Sequence, residues 1–256
     1  MTLVTARRTL PAVRRIAVIM AMEAEAAPLR EALGAHPIDT PPWARALPCR
    51  LAVAPATVSR PEIVLAVNGT DPLTGVDCIG STAGALATHT ALAADPAGEI
   101  DLVLSVGTAG GWTRAGAAIG DVYLAWDRFV CHDRRIDIPG FDGFGRADLP
   151  AADLRHHAAA LGCRTGIVTT GDSLDESPVD RERIEASGAE VKEMEAAAVA
   201  WIAHLHGIPV GAVKAITDLV DSPVSTAEQF AANLTSAAQA LRETTLALLD
   251  RLGAQP

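Results

Sequence analysis

Aromatic residues are scarce in this chain of 256 residues, where they account for only 4% of the sequence. Alanine, valine, leucine and isoleucine must therefore fill the hydrophobic core. A chain of this length fits one large α/β domain, which buries roughly three quarters of the surface of the unfolded chain. We expect a disordered basic tail over residues 1–15 and a single domain over residues 16–256.

The sequence also lacks a basic stripe, since its formal net charge is −10 and its pI is about 5.1. This acidic balance argues against nucleic acid as a partner. The first apolar run, residues 16–22, is too short to cross a membrane, and no signal peptide precedes it. The four cysteines form no C-x-x-C pair, and the histidines lack metal-ligand spacing. We therefore expect a cytoplasmic protein with reduced cysteines, no metal and no cofactor.

Short apolar runs alternate with segments of helical periodicity along the chain. This alternation predicts a parallel or mixed β-sheet wrapped by helices. The predicted strands cover residues 16–21, 62–67, 101–106, 119–126, 166–170 and 208–218. The main predicted helices cover residues 23–33, an alanine-rich segment before residue 96, residues 194–206 and residues 226–252, and residues 132–148 form a long charged loop.

Four acidic residues stand where predicted strands end: Glu25, Glu193, Glu195 and Asp218. Because small-molecule sites form at the carboxyl ends of strands in α/β sheets, we expect these side chains to face one pocket. Each has a plainer explanation, since acids are favoured in the first turn of a helix and as caps of turns. Together they favour an enzyme whose reaction builds positive charge on a sugar or a base.

Five motifs carry a resemblance to a known family, and they occur in family order over about residues 16–250. The chain resembles the 5′-methylthioadenosine/S-adenosylhomocysteine nucleosidases of the nucleoside phosphorylase/nucleosidase superfamily. The runs HDRR at 132–135 and DLVD at 218–221 are similar to the plant-type branch of these enzymes. The five motifs are AMEAE at 21–25, VGTAGG at 106–111, TGDS at 170–173, EMEA at 193–196 and AITD at 215–218.

The resemblance implies a three-layer α/β/α sandwich with a central mixed β-sheet, and a homodimer. It implies hydrolysis of the adenine–ribose bond of 5′-methylthioadenosine in methionine salvage, with S-adenosylhomocysteine and 5′-deoxyadenosine as further candidate substrates. In this reaction Glu25 would activate the attacking water. Asp218 would hydrogen-bond the adenine and protonate its N7 atom.

The resemblance also implies a set of residues that bind the substrate. Glu195 would accept hydrogen bonds from the ribose hydroxyls, with Met194 packed beneath the sugar. Thr108 and Lys214 would help to place the water, and Leu174 would cover the face of the purine. The bacterial pattern has serine, arginine and an aromatic residue at these last three positions, so the breadth of substrates is the property most open to change.

Two further expectations concern Glu193 and the 5′ end of the substrate. Glu193 would lie beside the carboxylate that binds the ribose, with no role assigned to it. The 5′ substituent would contact Met22 and a loop over residues 132–144 that reaches in from the other subunit of the dimer.

Three alternatives to this hydrolase stay open. A purine nucleoside phosphorylase would use phosphate instead of water, and Lys214 favours it, whereas a carboxylate such as Glu25 repels phosphate. A futalosine or aminofutalosine hydrolase of menaquinone synthesis would cleave the same type of bond in another nucleoside. A nucleoside-binding protein without catalysis would need neither a base nor an acid, so Glu25 and Asp218 argue against it.

Overall fold

The computed structural model describes residues 12–95 and 97–254, which form ten strands and seven α-helices. The strands are β1 (Arg15–Met20), β2 (His36–Ile38), β3 (Arg50–Ala54), β4 (Glu62–Val67), β5 (Leu102–Gly111), β6 (Val122–Cys131), β7 (Leu149–Pro150), β8 (Arg164–Thr170), β9 (Val191–Glu193) and β10 (Val210–Leu219). The helices are α1 (Glu23–Leu33), α2 (Ser81–Ala93), α3 (Asp142–Arg146), α4 (Arg155–Leu161), α5 (Pro178–Ser187), α6 (Ala196–Leu205) and α7 (Thr226–Gly253).

All ten strands belong to one mixed sheet. Strand β1 pairs in parallel with β4 and β5, and β5 also pairs in parallel with β10. Strands β5, β10, β6, β8 and β9 pair in a ring, so this part of the sheet closes on itself. Strand β5 connects this closed part to the rest of the sheet, because it also pairs with β1.

The helices lie in two layers, one on each face of the sheet. Along β1, Ala17 and Ile19 belong to the core beneath α2 and α6, whereas Ile16 and Val18 belong to the core beneath α1 and α7. A strand that is buried on both faces must be apolar at every position, as the run at residues 16–20 is. The predicted three-layer α/β/α fold with a central mixed sheet is therefore confirmed.

The predicted strand at 101–106 is longer in the structure, because the glycine-rich residues 107–111 form the last part of β5. At Gly110 a β-carbon would lie 2.7 Å from Oδ2 of Asp218, so only glycine lets β5 and the Asp218 side chain of β10 approach this closely. The predicted strand at 119–126 lies later, at Val122–Cys131. The short strands β2 and β3 lack a clear pattern in the sequence because prolines interrupt and flank them.

The last residues of the predicted tail, residues 13–15, belong to the folded domain. Val13 is buried, and the backbone N–H of Arg14 donates to Oδ2 of Asp101 at 2.7 Å, so these two residues are fixed to the fold. Strand β1 then begins at Arg15, one residue before the predicted start. The rest of the predicted tail, residues 1–11, lies outside the described residues. Among the helices described, none is long and apolar enough to span a membrane.

Candidate active site

One cavity, at the carboxyl ends of β1, β5, β9 and β10, is lined by all nine of the residues that the sequence places at the site. The structure thus brings together side chains that lie up to 196 positions apart in the sequence, from Met22 to Asp218. Their roles stay predictions. The nine residues are Met22, Glu25, Thr108, Leu174, Glu193, Met194, Glu195, Lys214 and Asp218.

Glu25 lies in the first turn of α1, directly after β1, and its side chain is buried. Its Oε1 atom accepts hydrogen bonds from the backbone N–H of Thr108 at 2.7 Å and from the hydroxyl of Thr108 at 2.6 Å. Among the described residues, no donor binds the other oxygen, Oε2. This arrangement fixes the orientation of the side chain and leaves one oxygen available to a ligand in the cavity.

Asp218 lies near the end of β10 and is also buried. Its Oδ1 atom accepts a hydrogen bond from the hydroxyl of Thr217 at 2.8 Å, whereas Oδ2 is buried without a partner among the described groups. Burial raises the pKa of Asp218 above its ordinary value. A carboxyl group in this state holds a proton more readily and can donate it to a basic atom of a ligand.

Glu195 precedes α6, and the backbone N–H of Gly80 donates to its Oε1 atom at 2.6 Å. Burial and the nearby charge of Glu193 raise the pKa of Glu195 to about 7. The raised pKa makes the protonated form of this carboxyl group accessible near neutral pH. In either state its oxygens can hydrogen-bond hydroxyl groups.

Glu193 is held in place on every side. Its Oε1 accepts from the hydroxyl of Thr170, and both of its oxygens accept from the backbone N–H of Ala196, at 3.0 and 2.9 Å. Its Oε2 forms an ion pair with Nζ of Lys214 at 2.9 Å, and both side chains are at most 2% exposed. Glu193 therefore fixes the start of α6 and links the end of β9 to β10, two strands that do not pair with each other.

The sequence assigns no role to Glu193, and its predicted place beside the site stays a prediction about function. The residue belongs to the wall of the cavity, but its carboxylate is occupied by the protein itself. Lys214 is similarly occupied, because it also donates to the hydroxyl of Ser105 at 3.0 Å. The positive charge of Lys214 is thus largely neutralised by Glu193.

Other residues that line the cavity were not singled out from the sequence. Lys192 is next to the EMEA motif, which was the only signal for it. Asn68 stands at the end of β4, where its Oδ1 atom is buried without a described partner. Thr226 and Phe230 reach the cavity from α7, and nothing in the helical pattern of residues 226–252 indicates this contact.

The predicted loop at 132–144 does not line the cavity of its own chain. It contains the start of α3, and its apolar side chains Ile138 and Phe141 are exposed. Its predicted contact with the 5′ substituent concerns a second subunit and stays a prediction. Within the part of the chain that the structure describes, no cluster of three His, Cys, Asp or Glu side chains could hold a metal ion.

Comparison with known proteins identifies the family. Residues 15–250 match the model of the Phosphorylase superfamily. A 5′-methylthioadenosine nucleosidase of Arabidopsis thaliana is 38% identical over 232 residues, which cover 91% of this chain and 85% of the relative. A 5′-methylthioadenosine/S-adenosylhomocysteine nucleosidase of the same plant is 36% identical and covers 74% of this chain and 73% of its own.

The fold agrees with a solved structure of this kind. The apo structure of Arabidopsis thaliana 5′-methylthioadenosine nucleosidase superposes with a TM-score of 0.90 at 35% sequence identity. The alignment covers 96% of this chain and 98% of the other. The likeness extends over nearly the whole length of both proteins.

The buried ion pair between Lys214 and Glu193 makes a prediction about stability. Lys214→Met leaves the Glu193 carboxylate buried without its counter-charge, so we expect the free energy of unfolding to fall by about 3–5 kcal/mol. The double variant Lys214→Met/Glu193→Gln should recover part of this loss because no lone charge remains. Urea denaturation at pH 7 measures both, and a loss below about 1 kcal/mol in the single variant would contradict the assignment.

Proposed function

The chain belongs to the Phosphorylase superfamily, and within it we propose that the protein hydrolyses the N-glycosidic bond of 5′-methylthioadenosine. The products are adenine and 5-methylthioribose. The names of the two Arabidopsis relatives support this substrate. The charge of the cavity is the observation that favours water over phosphate as the nucleophile.

That cavity offers no unoccupied cation to a phosphate ion. Among the described residues that line it, Lys192 and Lys214 are the cationic ones, and neither arginine nor histidine is present. Lys214 is paired with Glu193, and Lys192 donates to backbone carbonyls of residues 173 and 174. The Glu25 carboxylate faces the same space and repels a phosphate ion. These features favour a hydrolase over a phosphorylase.

Glu25 is the general base in this proposal. Thr108 fixes one oxygen of its carboxylate through two hydrogen bonds, which leaves Oε2 to take a proton from a water molecule. Cleavage of an N-glycosidic bond passes through a state with positive charge on the ribose ring, as in glycoside hydrolysis. A negative charge near the attacking water therefore stabilises that state as well as activating the nucleophile.

Asp218 is the general acid. Adenine leaves as a neutral molecule only if its N7 atom gains a proton, and burial of Asp218 favours the protonated carboxyl that can supply it. Glu195 completes the set, with one oxygen held by Gly80 and the cavity beside it for the ribose hydroxyls. Those hydrogen bonds strengthen as positive charge builds on the sugar, so they favour the transition state.

The first experiment measures adenine release from 5′-methylthioadenosine by the purified protein, with and without phosphate. We expect release that is independent of phosphate, with free methylthioribose as the second product. Strict dependence on phosphate, with a ribose 1-phosphate product, would identify a phosphorylase. S-adenosylhomocysteine, 5′-deoxyadenosine, futalosine and inosine assayed in parallel define the range of 5′ groups and bases accepted.

Asp218→Asn tests the acid. The amide keeps the size of the side chain but carries no proton that it can transfer, so we expect kcat to fall by about 100-fold or more. Binding of the nucleoside, measured by calorimetry, should stay detectable because the pocket keeps its shape. Turnover equal to that of the parent would remove Asp218 from the mechanism.

Glu25→Gln tests the base in the same assay. The side-chain oxygen of glutamine can still accept the two hydrogen bonds from Thr108, so the fold should be kept. Glutamine cannot take a proton from water, so we expect hydrolysis of 5′-methylthioadenosine to be lost. Circular dichroism and the unfolding midpoint serve as the control for folding. Retained activity would show that another group activates the water.

We also propose a cytoplasmic homodimer in which the 132–144 loop completes the 5′ pocket of the other subunit. The support is an exposed apolar surface on this loop and on α6, formed by Ile138, Phe141, Phe144, Trp201 and Leu205. Free thiols at all four cysteines agree with a reducing compartment, which cell fractionation can test.

Complementation tests the exchange of loops between subunits. In a mixed dimer, the Glu25→Gln subunit supplies an intact loop to its partner. The Phe141→Asp subunit supplies intact catalytic groups to its own site. We expect a mixture of the two inactive variants to regain activity as the subunits exchange, with a sedimenting mass about twice the 26.5 kDa of one chain. If each loop served its own subunit, mixing would restore nothing.

A further inference from the structure

The chain contains only two lysines among its 21 lysine and arginine residues, and both lie buried on the cavity. Lys214 has the Glu193 carboxylate as its counter-charge. Lys192 is 6% exposed and, among the described residues, forms no ion pair within 4.0 Å. Burying an ammonium group without a paired carboxylate is costly, and the proposed reaction steps make no use of this one.

The contacts of Lys192 point to the loop that follows β8. Its Nζ atom donates to the backbone carbonyl oxygen of Ser173 at 3.1 Å and to that of Leu174 at 2.6 Å. An ammonium has three donors, so one side chain can fix two consecutive carbonyl groups. The side chain of Leu174 lines the cavity but is 48% exposed, so packing alone does little to hold it.

Lys192 and Asp218 flank the same residue of β5, because Gly110 is the register partner of Lys192 on β9 and of Asp218 on β10. Four acidic groups lie close enough for their charges to raise the pKa of Lys192. They are Asp175 and Glu176 in the loop, Asp180 on α5 and Asp218 on β10. His132, which follows β6, is a further titratable group, and the charge of Lys192 lowers its pKa. Burial lowers the pKa of Lys192, and its positive charge lowers the pKa of Asp218 against the larger increase that burial causes.

We propose that Lys192 is a positioning residue of this site, which ties down the loop that covers the base and places a positive charge beside the acid Asp218. The inference rests on the proposed function, in which Asp218 protonates the leaving base. An acid works best when its pKa lies near the working pH. Lys192 opposes the effect of burial, so Asp218 can both hold the proton and release it to adenine.

Two substitutions separate the charge of Lys192 from its hydrogen bonds. Lys192→Gln removes the charge, so protonated Asp218 is favoured and the alkaline limb of the kcat/KM profile moves to higher pH. The loop also loses charged donors, and we expect KM to rise roughly tenfold or more. Lys192→Arg keeps the charge, so its alkaline limb should stay with that of the parent. Arg242→Gln, which removes a remote charge on α7, is the control and should move nothing.

An unchanged alkaline limb in Lys192→Gln would overturn the proposal, whatever happens to KM, because a purely structural anchor would leave the ionisation of Asp218 alone. A limb that moves equally in Lys192→Arg would overturn it too, since the charge is kept there. Failure of the parent protein to release adenine would instead remove the proposed function.

A measurement without turnover keeps the two failures apart. Because the chain has two lysines, protein labelled with ¹³C at the ε-carbon gives two lysine signals in an NMR spectrum, and Lys192→Arg assigns them. We expect the Lys192 signal to titrate below the ordinary pKa of lysine and to shift further down in Asp218→Asn, where the neighbouring negative charge is gone. A Lys192 signal indifferent to that substitution would refute the coupling even in an active enzyme.

Discussion

The ion pair between Lys214 and Glu193 is the interaction on which the site depends. Lys214 comes from β10, the strand that also carries Asp218, and Glu193 ends β9 immediately before Met194 and Glu195. The 2.9 Å contact therefore joins the strand that carries Asp218 to the segment that carries Met194 and Glu195. Because the pair is fully buried, water cannot compete for either charge, and the arrangement has one favourable geometry.

Around this pair the cavity holds three further carboxyl groups, those of Glu25, Glu195 and Asp218, in different environments. Glu25 receives two hydrogen bonds from Thr108 at the end of the cavity formed by β1 and β5. Asp218 has a buried oxygen without a partner and a raised pKa. Donors from Thr108 hold one oxygen of Glu25, whereas burial makes the Asp218 carboxyl less acidic. In the proposed mechanism these unequal environments let two chemically similar side chains act as a base and an acid.

Close approach of the backbone is the second condition of the site. At Gly80 the backbone turns with φ of 95°, a conformation suited to glycine, and its N–H reaches the Glu195 carboxylate. At Gly110 the absence of a side chain leaves room for Asp218. A side chain at Gly110 would clash with Asp218, and one at Gly80 would be strained by the positive φ and would meet the carboxylate of Asp172, although neither glycine takes part in the proposed chemistry.

The sequence by itself determined the alternation of strands and helices and the four acids at strand ends. These follow from local signals, because burial on both faces makes a strand apolar throughout. The other five residues of the cavity came from the resemblance of the motifs to a known family. Tertiary structure alone decided the ring of five strands, the pairing of β2 and β3, and the contacts of Glu193 and Lys192. Gly80 and Glu195 are 115 residues apart, and Lys192 and Leu174 are 18 apart. A residue's own neighbours in sequence cannot specify such partners, since the free energy of a buried charge depends on groups that only the folded chain brings within hydrogen-bond distance.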